Sequence, residues 1–136
     1  MNSFVKMLGI PISAETTCFI GSFSNGIAVV VNGKEHFHIT LICDVSPNCD
    51  CHEENDAPII PDIGMLAGFD PVAIDMAACD LCNQMPRMQG SWMDDCRHGD
   101  DVFDDAHDNT RWRVSIDHAL KIGFGTDQYE LVKLDK

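Results

Sequence analysis

Asp70-Pro71 constrains the fold of this chain more tightly than any other pair of residues. Aspartate is a strong helix cap, and proline at the first helical position gives up an N–H that has no partner there in any case. The helix it opens should run to about Gln84, where Met85-Pro86 stops it, because the residue before a proline is pushed out of helical backbone. Immediately upstream, the apolar run Ile59–Ala67 reads as a strand entering a sheet interior. A strand delivered directly into a capped helix is the unit around which the remaining elements must pack.

The flanking sequence supplies them. Residues 1–21 have a weak pattern and read as a short helix or loop, with a turn at Gly9-Ile10-Pro11. From Ser22, Phe23, Ile27, Val30 and Val31 have helical spacing, and Asn32-Gly33 closes that helix with a left-handed residue. His36–Cys43 alternates and then turns wholly apolar, as a strand does, and Ser46-Pro47-Asn48 ends it. Residues 86–108 are rich in Met, Asp, Gly and His without a period, which predicts a long surface loop. A helix follows from Asn109 to Ile122, with Thr110 as a second possible cap and Gly123 and Gly125 at its end, and Gln128–Leu134 reads as a closing strand. The order helix, strand, strand, helix, helix, strand predicts an α/β fold: a small mixed sheet of three to four strands covered by three helices, in a single lobe.

At 136 residues the chain can bury a core without disulfide staples. Its formal net charge of -13 repels phosphate, so nucleic acid and anionic membrane are excluded as expected partners, whereas cations and basic proteins are not. No stretch approaches the roughly 20 apolar residues of a spanning helix. The first 20 residues carry only Lys6 and are broken by Gly9 and Pro11, a poor secretory signal. Seven cysteines are an odd number, and Cys49 and Cys51 are too close to pair comfortably; a reduced, cytoplasmic protein is expected.

The sharpest local chemistry is Cys49-Asp50-Cys51-His52. A turn can converge the two sulfurs of a C-x-C segment on one metal ion, and thiolates select zinc, copper(I) or iron–sulfur clusters over magnesium and calcium. His52, Glu53, Glu54 and Asp56 are placed to complete or tune such a site; the alternative is a loop with incidental thiols. Cys79 and Cys82 lie within the helix opened by Pro71, at i and i+3 on one face, with Asp75 four residues before Cys79. With the loop pair they would make four thiolates, enough for tetrahedral zinc or a cluster. Simple packing is the preferred reading of the helical pair, since cysteine behaves as a small hydrophobe.

Asp62, Asp70 and Asp75 form a second group. Asp70 is accounted for as a cap. Asp62 opens an apolar strand and Asp75 projects from a helix that must pack, so each either meets buried donors or faces a cavity; these two are the acid–base candidates. His36 and His38 share a strand face and can bind metal, although a half-exposed pair is the simpler reading. Met85, Met88 and Met93 with Cys96 and His98 have irregular spacing and suit a lid or an interface better than a copper site. Asp100, Asp101, Asp104 and Asp105 lack the order of a calcium loop and read as a solvated run. There is no phosphate loop, nucleophile elbow or H-E-x-x-H.

Several of these tracts, in order, resemble the C-terminal part of the domain of unknown function 362 family, often described as iron–sulfur centre proteins. They are Ser46–Cys51, Pro61–Ala67, Asp70–Asp75 and Lys121–Val132, and the likeness covers about residues 22–135. Its members are typically longer, and many carry a ferredoxin-type C-x2-C-x2-C-x3-C-P segment that is absent from this sequence. The resemblance therefore carries over the Cys49–Cys51 loop and Asp62, Asp70 and Asp75, but not the ferredoxin cysteines.

The sequence thus predicts a metal- or iron–sulfur-associated protein in redox or electron-transfer chemistry, with Cys49 and Cys51 as soft ligands and an iron–sulfur cluster or zinc as cofactor. The alternatives are a cluster-free catalytic or binding lobe using Asp62 and Asp75, or a structural, partner-binding lobe. A homo-oligomer or a second protein lobe is the expected partner, with Met85–Met93 and Trp92 as part of the contact.

Overall fold

The computed structural model describes residues 3–8, 30–31, 33–48, 57–94, 99–107, 109 and 111–134. Four strands, β1 (Ser3–Leu8), β2 (His38–Ile42), β3 (Gly64–Gly68) and β4 (Tyr129–Leu134), form one mixed sheet in the order β2-β3-β1-β4. β2 and β3 pair antiparallel with Thr40 opposite Leu66, and β1 pairs antiparallel with β3 and parallel with β4. Among the described residues three helices accompany it in full: α1 (Pro71–Gln84), α2 (Val102–Ala106) and α3 (Arg113–Lys121), with a 3-10 turn at Trp92–Asp94. The expected α/β class, strand number and helix number are therefore met. No helix among the described residues is long and apolar enough to cross a membrane.

α1 is the central element, in contact with all four strands and with α3. One stripe, Ala73, Ile74, Ala77, Ala78 and Cys82, packs with Ile42, Val45, Ile59, Ile60 and Leu66, and the partly buried Leu81 and Met85 extend it. Val72 and Met76 instead meet Ile116 and Ala119 of α3. Burial on two sides explains why α1 carries so many apolar residues for a 14-residue helix. Each fully buried Ile or Leu in that layer contributes on the order of 2 kcal/mol.

Several boundaries differ from expectation. Ser3–Leu8, predicted as a helix or loop, is an interior strand with β3 on one side and β4 on the other. A six-residue segment, Ser3-Phe4-Val5-Lys6-Met7-Leu8, has no decisive period, and its pairing comes from partners some 60 and 126 residues away. The strand expected over Ile59–Ala67 is confined to Gly64–Gly68. Ile59 and Ile60 are buried in a connection, with Ile59 N–H donating to the Val45 carbonyl at 2.8 Å and Ile63 N–H to Ile42 at 2.9 Å. Pro61, lacking an N–H, does not enter the ladder.

The predicted long loop over 86–108 contains the 3-10 turn and α2, and it buries Met93 and Val102 completely. The helix predicted over Asn109–Ile122 is shorter, starting at Arg113. Where the structure describes the early helix, Val30 and Val31 are helical and Gly33 is left-handed at φ +70°, as the Asn32-Gly33 ending predicts.

Candidate functional site

The capped end of α1 is built around one carboxylate. Asp70 Oδ1 accepts from the Val72 and Ala73 N–H groups at 3.0 and 3.2 Å, and Oδ2 accepts from the Thr126 N–H at 3.0 Å. Asp70 therefore joins the start of α1 to the turn before β4, uniting the Asp70–Asp75 and Lys121–Val132 tracts. Gly125 makes that approach possible. Its φ is +88°, and a Cβ there would run into Asp70 Oδ1 and lie 2.7 Å from Val72 Cγ2.

Five residues on, Asp75 has different surroundings. Burial alone pushes its carboxyl from the ordinary 3.8 up to about 7, and no described residue donates a hydrogen bond to it. A carboxyl poised near neutrality can give or take a proton at physiological pH. Asp62 is not its neighbour. It precedes β3, is exposed, and its Oδ1 accepts the N–H of Asp44 at 2.9 Å, holding that residue at a left-handed φ of +49°. Asp75 lies beyond the other end of the strand, in the second turn of the following helix.

Cys79 and Cys82 have no solvent exposure, Cys82 within the main apolar cluster. Beside them, Tyr129 of β4 donates its hydroxyl to Asp80 Oδ2 at 2.6 Å, and burial followed by Asp80 drives the phenol well above its ordinary range. No group of three or more His, Cys, Asp or Glu residues suited to a metal ion occurs among the described residues. Cys49, Cys51 and His52 lie outside those residues, as do Cys96 and His98.

The described ends of the segment containing Cys49 and Cys51 are held together. Ile59 N–H bonds to Val45, Met88 N–H donates to the Ile59 carbonyl at 2.9 Å, and His107 Nε2–H donates to the Pro47 carbonyl at 2.5 Å. Trp92 lies over His107 with ring centroids 6.5 Å apart. The segment is thus rooted against Met88, Trp92 and His107, and these come from the region read as a loose loop.

Two aspartates of that region do more than solvate it. Asp101 caps α2 through the Phe103 and Asp104 N–H groups, and its Oδ2 accepts from Trp112 Nε1 at 2.9 Å and Asn83 Nδ2 at 3.2 Å. Asp105 meets Arg87 at 3.1 Å, both side chains largely buried, and also accepts the Gly99 N–H at 2.7 Å. The Asp101-Val102 junction, an aspartate before an apolar residue, was the available signal for the cap. Nothing local in the sequence marked His107 or the Arg87–Asp105 pair.

A family model described as domain of unknown function (DUF362) matches residues 12–80, just over half of the chain. The chain belongs to that family. Within this DUF362 member the match takes in Cys49, Cys51, Asp62, Asp70, Asp75 and Cys79, and stops before Cys82 and the Lys121–Val132 tract. No curated protein and no solved structure matches it.

Proposed function

We propose that this DUF362 protein is a metal- or iron–sulfur-associated redox protein of the cytoplasm, with Cys49 and Cys51 as soft ligands. The observation that supports it is the cross-bridged root of the segment bearing both thiols, tied by Val45–Ile59, Pro47–His107 and Ile59–Met88. A closed root lowers the ordering entropy of bringing two nearby thiolates to one ion. The donor chemistry, paired thiolates with His52 adjacent, fits zinc or an iron–sulfur centre rather than a hard cation. Cys79 and Cys82 would serve as further ligands only if the core around them opened, since both are fully buried.

Metal analysis of anaerobically purified protein, with its visible spectrum, tests this reading. The expected result is near-stoichiometric zinc or iron that is lost in a Cys49→Ser/Cys51→Ser variant. Colourless protein with under about a tenth of an equivalent of any transition metal removes it.

A second reading, a catalytic or binding lobe without a cluster, draws on Asp75 and its neutral-range carboxyl. Asp62, engaged with Asp44, contributes to that reading less directly. Infrared detection of a protonated carboxyl that disappears in Asp75→Asn near pH 6 is the expected result. Self-association, or binding to a second lobe, belongs to the same proposal. Trp92 and Met88 remain 49% and 40% exposed while Met93 anchors their segment, which suits them to an interface. Sedimentation as a monomer at all practical concentrations would set that part aside.

A further inference from the structure

The described residues contain one pair of imidazoles whose ring nitrogens converge. His36 Nδ1 and His38 Nε2 are 2.8 Å apart, with the rings edge to face at a centroid distance of 4.9 Å. The strand period of two puts both side chains on one side of the chain. His38 opens β2, an outermost strand of the sheet, and its partner across the ladder is Gly68, which has no side chain to cover the ring. Both histidines are half-buried.

We propose that His36 and His38 form a bidentate chelate for a divalent transition metal of the nickel or copper type at the edge of the sheet. This site is independent of Cys49 and Cys51. At 2.8 Å one nitrogen carries the shared hydrogen and the other presents its lone pair; transfer of that proton to the other nitrogen of its own ring leaves two lone pairs facing each other, and rotation of both rings turns them towards one ion beside the N–N line. With metal–nitrogen bonds of about 2.05 Å, cis ligands of an octahedral or tetragonal ion lie about 2.9 Å apart, and those of a tetrahedral ion about 3.4 Å. The observed nitrogen separation of 2.8 Å matches the first geometry once the rings rotate, whereas a tetrahedral ion also requires it to open by about half an ångström. Water supplies the other positions.

The surroundings favour a bound cation. Asp70 brings a negative charge near His38. The chain's formal charge of -13 adds a general attraction for cations.

The test uses the full chain carrying Cys49→Ser/Cys51→Ser, so that thiolate binding cannot imitate the result, with Ni2+ alone as the probe. Calorimetry should detect one tight site per chain, and His36→Gln or His38→Gln should each weaken it at least tenfold. In nuclear magnetic resonance, substoichiometric paramagnetic Ni2+ should broaden the ring signals of His36 and His38 before those of His107 and His118. Affinity in both variants equal to that of the parent, no binding, or broadening centred on other histidines overturns the proposal. If either variant fails to fold, the broadening pattern in the parent protein decides. The proposed thiolate centre is read separately, from the metal content of the unsubstituted protein.

Discussion

The first turn of α1 and its second turn place the same residue type in opposite environments. Asp70 at the cap is met by three backbone N–H groups from two parts of the chain. Asp75, five residues later, is buried far enough that its carboxyl reaches about 7, with no donor among the described residues. The cap is an organised junction whose oxygens are satisfied by the fold. The second turn carries a half-buried carboxyl that takes no protein donor among the described residues and whose shifted pKa makes it a functional candidate.

The largest effect is expected where the junction is tightest. Gly125→Ala forces a Cβ against Asp70 Oδ1 and Val72 at a left-handed φ of +88°, combining steric overlap with backbone strain. A loss of about 4 kcal/mol is expected in denaturant unfolding, from overpacking of roughly 1–3 kcal/mol plus strain of roughly 1–2. A loss below about 1 kcal/mol would mean that the junction yields easily and that the contrast with Asp75 is overstated.

Asp75 comes next. Its folded pKa of about 7 lies above the ordinary 3.8, so the folded protein holds the proton over an interval in which the unfolded chain has released it. The resulting stability is fully present below about pH 4 and is lost as pH rises through 7. At about 1.4 kcal/mol per pKa unit the loss is at most about 4 kcal/mol, and roughly 3 is expected once partial exposure and denatured-state burial are allowed for. Asp75→Asn should abolish that part of the pH dependence and stabilise the protein at pH 8. A parent and variant with parallel stability–pH curves would show that Asp75 is solvated after all.

Asp70→Ala removes the cap and the Thr126 bond together, an expected cost of about 2 kcal/mol. Hydrogen exchange should rise at Val72, Ala73 and Thr126 in particular. The smallest effect belongs to Asp62→Ala, which removes one exposed hydrogen bond to Asp44 and should cost under about 1 kcal/mol. Asp44→Gly, which relieves the φ of +49°, should recover most of it. A loss of several kcal/mol at Asp62 would mark it as a buried partner rather than a turn clamp.

Legibility followed the range of the forces involved. Asp70-Pro71 and Met85-Pro86 state the ends of α1 in local chemistry, and the helix runs over Pro71–Gln84 as they dictate. Gly33 and Gly123, both left-handed, end their segments where the sequence put glycine. Tyr129–Leu134 alternates and is a strand. Ser3–Leu8 became a strand because β3 and β4 flank it, and no pattern within six residues announces partners so far along the chain. Of the candidate site, Cys79 and Cys82 are fully buried in α1, while Cys49, Cys51 and His52 lie outside the described residues.

By itself the sequence determined the elements whose signals are local: the capped helix, its stop, the glycine ends and the acidic surface that disfavours phosphate. It also singled out Asp62, Asp70 and Asp75, because an aspartate in or beside an apolar stretch is costly wherever it lands, while Asp101 and Asp105 read only as part of a solvated run. Tertiary structure alone decided what each of them does. Asp70 ties α1 to a turn 56 residues away, Asp101 ties α2 to Trp112 and Asn83, and Asp75 meets no described donor. Hydrogen-bond partnership and desolvation depend on what the folded chain brings within about 3 Å, and residue order does not encode that distance.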